Sequence, residues 1–274
     1  MAEVIRADAM AVHLNPLQEL LQPEGDRRFS GVLKGIERLV RDLGVPVIVK
    51  EVGCGISAEV ARRLAGAGVR MIDVAGAGGT SWAGIESFRG ARRSLTDLFW
   101  DWGIPTADSL REVCRIPGLT VIASGGIDSG ITMAKALAMG ADAVSIGQGV
   151  LIALGCNHDS YYQNGAHHDA TADYAALGTA PGFCHHCHTG KCPVGITTQD
   201  AVLEQRLTPE IGARHLKNYL KTLNMELTTI ARACGKQNVH HLEREDLVAL
   251  TLEAAAMARV PLAGTSWIPG VNGL

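Results

Sequence analysis

A chain of 274 residues that is 47% hydrophobic and 19% charged has room for one large α/β domain, or for a domain with an appendage. A net charge of −3 excludes nucleic acid and anionic membrane surfaces as bulk partners, and no apolar run reaches the roughly 18 residues needed to cross a bilayer. MAEVIRADAM lacks the apolar core of a signal peptide. The seven cysteines, an odd number, suit reduced thiols or cofactor ligands better than a disulfide scaffold, so a cytoplasmic location is expected.

From residue 9 to residue 150, short apolar strands alternate with amphipathic helices. The predicted strands are AMAVHL (9–14), VPVIVKEV (45–52), RMIDVAG (70–76), LTVIASGG (119–126) and AVSIGQG, with its core at 144–149. The first predicted helix, 29–43, repeats Val32, Leu33, Ile36, Leu39, Val40 and Leu43 at helical spacing. The second, 57–68, opens on Ser57 as an N-cap and closes on Gly66 and Gly68; the third covers 128–142. Strand–helix–strand repetition of this kind predicts a parallel sheet of the (β/α)₈ TIM-barrel type, with function at the C-terminal ends of its strands.

Those ends hold the unusual residues. His13, Asn15, Gln18 and Glu19 follow the first strand, and Lys50, Gly53 and Gly55 follow the second. Gly76, Gly78, Gly79 and Thr80 follow the third; Gly125–Gly126 and Gly147–Gly149 end the last two. Glycines alone make βα turns. Five glycine-bearing or polar ends on one rim predict a phosphate-bearing ligand, held by paired turns and by the helix start after Gly125–Gly126. With no GxGxxG opening a Rossmann unit, the expected ligand is a mononucleotide such as FMN.

The composition changes after residue 155. Residues 156–200 are a Cys/His-rich segment without clear periodicity through 192, and 201–274 read as a helical extension with helices at 213–232 and 242–260. The expected domains are therefore 1–155, 156–200 and 201–274. Five strands do not close an eight-stranded barrel, so the sequence alone predicts that three further strands precede residue 9 in a longer product or come from a partner.

Residues 7–150 resemble the type 2, flavin-dependent isopentenyl diphosphate isomerases in ADAMAVHLNPLQE, QPEGDRRFSGVL, VPVIVKEVGCGIS, IDVAGAGGTSWAGIE, DWGIPTA and IASGGI. The resemblance implies FMN, Mg²⁺ and a small diphosphate substrate whose double bond is moved. It implies that His13, Asn15 and Gln18 contact that substrate and that Glu19 binds the Mg²⁺. It also implies that Lys50, Thr80, Gly125, Gly126, Gly147 and Gln148 hold the FMN. Mg²⁺ commonly takes one carboxylate plus phosphate oxygens and water, which suits Glu19.

LIALGC and CHTGKCPVGITTQD resemble instead the FMN domain of the glutamate synthase family. That resemblance implies a 3Fe–4S cluster on Cys156, Cys187 and Cys192. Here an insert of about thirty residues brings Cys184, so Cys184, Cys187 and Cys192 form a second possible set. Zinc on Cys184, Cys187, Cys192 and the neighbouring histidines is the competing reading. Cys54, Cys114 and Cys234 read as packing residues.

Two activities follow as expectations. One is an isomerase whose flavin is kept reduced by the cluster. The other is a glutamate-synthase-type oxidoreductase acting on 2-oxoglutarate and ammonia. A flavin and Fe–S electron-transfer subunit without chemistry of its own is the third possibility. An electron-donor protein and a homo-oligomer are the expected partners; nucleic acid and membrane are not.

Overall fold

The computed structural model describes residues 4–89 and 98–272. Five strands, β1 (Met10–His13), β2 (Val47–Lys50), β3 (Met71–Asp73), β4 (Thr120–Ala123) and β5 (Ala143–Val144), form one sheet. Their order is β1-β2-β3-β4-β5 and all four pairings are parallel. Sequential parallel order with a helix in each crossover is the arrangement of consecutive barrel staves.

The helices on the outside of this arc are α2 (Val32–Asp42), α3 (Ala58–Gly66), α5 (Thr106–Val113) and α6 (Gly130–Ala138). Val47, Val49, Ile72, Val121 and Ala123 point at them and are at most 5% exposed. They build the main core with Ile36, Leu64, Leu110 and Val113. Alternation sends the other residues of each strand to the concave face. The register pairs His13 with Lys50 and Lys50 with Asp73, so three polar side chains form one row across three strand ends.

Two short helices stand on the rim at those ends, α1 (Pro16–Leu21) and α4 (Trp82–Arg89). A third, α7 (Gln148–Ala153), begins where the sequence predicts the end of the fifth strand. The strand expected at 144–149 is thus corrected to Ala143–Val144, because Gly147–Gly149 already turn into a helix.

The segment after residue 155 contains structure that its composition hid. A hairpin pairs β6 (Ser160–Gln163) with β7 (Ala166–Asp169), turning on Asn164–Gly165 with φ of 52° and 78°. Positive φ at both turn residues favours an Asn-Gly pair. Helix α8 (Thr171–Ala176) follows, and then the long α9 (Pro209–Ala233). Leu227 and Ala231 of α9 pack against Ala134, Leu137 and Ala138 of α6.

The helix expected at 242–260 is corrected to α10 (Leu252–Ala258), preceded by 3₁₀ turns at Val239–His241 and Arg244–Asp246. Glu243 and Asp246 cap each other's backbone there, and Lys236 pairs with both carboxylates. These local bonds compete with a continuous helix and win.

Candidate functional site

The site is built on the C-terminal rim of the sheet. Asn15 and Pro16 start α1 directly after β1: Pro16 occupies the first turn, and Asn15 Oδ1 accepts the Gln18 N–H at 2.8 Å. This tight start turns the chain back so that Glu19 faces His13, with 3.8 Å between Glu19 Oε1 and His13 Nε2. His13 is exposed; Glu19 is half-buried, with Oε2 accepting the Asp26 N–H at 3.1 Å and Oε1 turned to His13. Asn15 is different. It is buried, and its amide points to Glu51 at 3.5 Å and to the Cys54 sulfur at 3.6 Å. Its polar atoms are engaged inside the protein.

Gln18 donates to Glu86 Oε1 at 3.4 Å, and Gln22 donates to the same oxygen at 3.0 Å. Glu86 comes from α4, is 1% exposed, and accepts two bonds from Arg89 at 3.0 and 2.9 Å. Arg89 also pairs with Glu24. Reasoning from the sequence misses Glu86. Its signal is a carboxylate on a short helix, three residues before an arginine, within the quoted WAGIE stretch.

Behind this row, Glu51 accepts backbone N–H groups from Val52 at 2.7 Å, Gly53 at 3.1 Å and Cys54 at 2.7 Å. Burial nevertheless pushes its carboxyl above the ordinary range, against those bonds and the Lys50 charge. Burial pushes Asp73 up too, opposed by the Ser124 hydroxyl at 2.5 Å, by Lys50 and by the Ala75 N–H. Lys50 itself donates to the Glu51 carbonyl. The end of β2 therefore carries an ammonium between two buried carboxyls, a cation set where anionic charge could be stabilised.

The glycine turns split into two kinds. Gly125 and Gly126 have φ of 97° and 75° and pack on the β3 turn. A Cβ on Gly125 would lie 2.1 Å from the Gly76 carbonyl oxygen, and one on Gly126 would lie 2.6 Å from that of Gly78. Their small size serves loop-to-loop contact first. A Cβ on Gly147 would stand in open space, and Gly147 starts α7 without a side-chain cap. Thr80 and Gln148 meet beside it, with 3.3 Å between Oγ1 and Oε1.

The helix start after Gly125–Gly126 already carries acceptors from the protein itself. Glu226 of α9 accepts the Gly130 N–H at 2.7 Å, and Ser129 and Thr132 form a capping box over the rest.

Cys156, Cys184, Cys187 and Cys192 line a single cavity with Asn157, Tyr174, His186, Pro193, Val194 and Thr197. The two alternative ligand sets are thus one group of four thiols. Burial pushes Cys156 up to about 11, with the other three sulfurs adding to it. Cys192 differs. Burial would raise it, but the backbone N–H groups of Thr197, Val194 and Ile196 together hold it low, favouring a thiolate.

The histidines are arranged otherwise. His185 stacks on Phe88 of α4 at 3.4 Å between ring centroids, His186 on His185 at 4.6 Å, and His188 lies 6.2 Å from His186. This column connects the thiol cavity to α4. Burial and the Arg89 charge hold His188 below its ordinary value. Among the described residues, no three His, Cys, Asp or Glu side chains converge as the ligands of one metal ion. Cys114 packs in the main core and Cys234 beside α9 and α6. No helix among the described residues is long and apolar enough to cross a membrane.

Known proteins divide along the same line. The isopentenyl-diphosphate delta-isomerase of Methanothermobacter thermautotrophicus is 57% identical over 153 residues, 56% of this chain and 44% of that protein. A glutamate synthase large subunit-like protein of Rhizobium meliloti is 46% identical over 194 residues, 68% of this chain and 42% of that protein. The chain thus spans less than half the length of these relatives. The crystal structure of inosine 5' monophosphate dehydrogenase from Legionella pneumophila superposes with a TM-score of 0.52 at 21% identity. It covers 92% of this chain and 69% of that one, and establishes the fold alone. Residues 163–237 match the conserved region in glutamate synthase. Residues 15–168, more than half of the chain and most of the rim described above, match the FMN-dependent dehydrogenases, and the chain belongs to that family.

Proposed function

We propose that this chain forms the FMN-bearing and substrate-facing part of an enzyme that interconverts isopentenyl and dimethylallyl diphosphate, with an iron–sulfur cluster on its four-thiol segment. The observation that carries the reading is the His13–Glu19 pair at the end of β1, backed by the Gln18–Glu86–Arg89 network. Glu19 has the exposure and charge to take Mg²⁺ together with diphosphate oxygens. His13 donates to the same diphosphate. Gln18, held by Glu86, faces the five-carbon portion. Asn15 acts as a positioning residue, fixing the turn on which Gln18 and Glu19 stand.

The rim fits FMN. Lys50 supplies a cation for a reduced isoalloxazine, Thr80 and Gln148 supply adjacent polar groups, and the Gly147 turn, where a Cβ would meet nothing, leaves room for one phosphate. Gly125 and Gly126 shape that wall. When bound, reduced FMN supplies acid–base capacity beside the substrate double bond. Four thiols around one cavity support the cluster reading. Tetrahedral zinc draws its sulfurs to about 3.8 Å from one another, whereas a cluster interposes iron and sulfide and accepts a wider ring of cysteines. The three-part division at residues 155 and 200 follows from these roles.

A second reading has its own support. The relative covering 68% of this chain is glutamate synthase-like, and it favours an oxidoreductase using 2-oxoglutarate and ammonia with the same FMN and cluster.

Two measurements test the proposal. Cofactor released by heat should migrate as FMN; a dinucleotide alone would overturn the rim assignment. Glu19→Gln keeps the shape and removes the charge. It should cut isomerisation about a hundredfold or more across a Mg²⁺ titration while flavin stays bound. Undiminished isomerisation would remove Glu19 from the site, and glutamate formation without isomerisation in the parent protein would establish the second reading.

A further inference from the structure

We propose that the insert between Cys156 and Cys187 covers the thiol cavity and that the Tyr174 hydroxyl hydrogen-bonds cluster sulfur, raising the reduction potential of the cluster. The inference rests on the iron–sulfur reading above and goes beyond it, since it gives the insert a purpose.

Tyr174 is 1% exposed, and its hydroxyl has no hydrogen-bond partner among the described residues. Buried hydroxyls are rarely left in that condition, because their lost hydration is not recovered. Its ring packs with Ala170 and Val194, alongside Cys184 and Cys192, in a small core where phenylalanine would serve as well. The oxygen therefore calls for an acceptor. Tyr174 lines the cavity that Cys156, Cys184, Cys187 and Cys192 share, and Cys184, Cys192 and Cys156, with Asp159, are the charged neighbours of its hydroxyl.

The insert is fastened so that this orientation is kept. Asn157, in the left-handed region with φ of 62°, accepts the Cys184 N–H at 2.8 Å and donates to its carbonyl at 3.4 Å. The Arg206 guanidinium joins Asp173, the residue before Tyr174, to the Pro193 carbonyl, at 2.8 Å for each. Arg206 thus ties α8 to the residue that follows Cys192. A donor aimed at cluster sulfur stabilises the added electron of the reduced state, and so raises the potential.

The experiment uses the whole protein, purified without oxygen. Iron and acid-labile sulfide are measured first, and the midpoint potential is then read by a redox titration followed by electron paramagnetic resonance. Tyr174→Phe should retain iron and sulfide. Its reduced-to-oxidised ratio at a fixed ambient potential should fall about tenfold, equivalent to about 59 mV for one electron. A fully loaded variant with an unchanged potential overturns the inference and leaves the cluster standing. If Tyr174→Phe does not fold, 3-fluorotyrosine at position 174, a stronger donor of nearly the same shape, decides. A potential shifted upward supports the bond, and an unshifted one overturns it. Parent protein holding zinc, or neither iron nor sulfide, overturns the iron–sulfur reading itself and the inference with it.

Discussion

Gly125→Ala is expected to remove the cooperative unfolding transition, at a cost above about 4 kcal/mol, the range reserved for severe lesions. The added methyl would sit 2.1 Å from the Gly76 carbonyl oxygen, 2.8 Å from its nitrogen and 2.9 Å from its carbon. All three are backbone atoms, so no rotamer change relieves the clash. Gly76 cannot retreat, because a Cβ of its own would already lie 2.4 Å from Thr106 Cα. Thr106 is in turn held by the Gly125 carbonyl at 2.8 Å. The residue must also keep a φ of 97°. Gly118→Ala separates the two effects. Its φ is 78° and nothing lies within 4 Å of the new methyl, so only the conformational penalty of about 1–2 kcal/mol applies. Urea unfolding of both variants beside the parent checks the pair; similar losses in the two would refute the close-packed rim.

Cys192→Ser is expected to take bound iron and sulfide from stoichiometric to trace amounts, together with the broad visible absorption they give. Cys192 is the thiol whose surroundings favour the thiolate, through the N–H groups of Thr197, Val194 and Ile196. A serine hydroxyl ionises far less readily and binds iron poorly. FMN should stay bound, since Lys50, Thr80 and Gln148 stand on other elements. Under the isomerase reading, dithionite should restore turnover to the flavin-loaded variant. Under the second reading, restoration should require 2-oxoglutarate and ammonia. Cys114→Ser is the matching control, because Cys114 packs in the main core rather than at the cavity. Iron retained in Cys192→Ser, or lost equally in Cys114→Ser, would contradict the proposed ligand set.

What the sequence made legible follows the range of each interaction. Strands β1 to β4 and helices α2 and α3 lie where apolar periodicity puts them, because one-sided burial writes itself into every second or every third and fourth residue. His13 and Glu19 could be paired from the sequence, as both sit within one turn of a strand end. Asn15 was harder. An Asn-Pro pair is a helix-start signal, but its amide reaches Glu51 and Cys54, 36 and 39 residues away. Glu86 takes two of its partners from 64 and 68 residues away, and the neighbouring Arg89 alone does not announce its burial. The Asn164–Gly165 turn is a hairpin signal that the Cys/His-rich composition around it obscures. The region 242–260 has helical composition, and capping by Glu243 and Asp246 overrode it.

The carboxylate of Glu226 closes the start of a helix 96 residues earlier in the chain. A peptide cut before α9 would leave the Gly130 N–H without its acceptor, and would uncover Ala134, Leu137 and Ala138 to water. α6 is therefore not finished when the ribosome has made it. Its Gly130 N–H lacks that acceptor until the polypeptide has grown by roughly another hundred residues, which at about 5–20 residues per second is a wait of about 5–20 seconds. During synthesis one face of α6 waits uncovered, and α9 is the part that covers it.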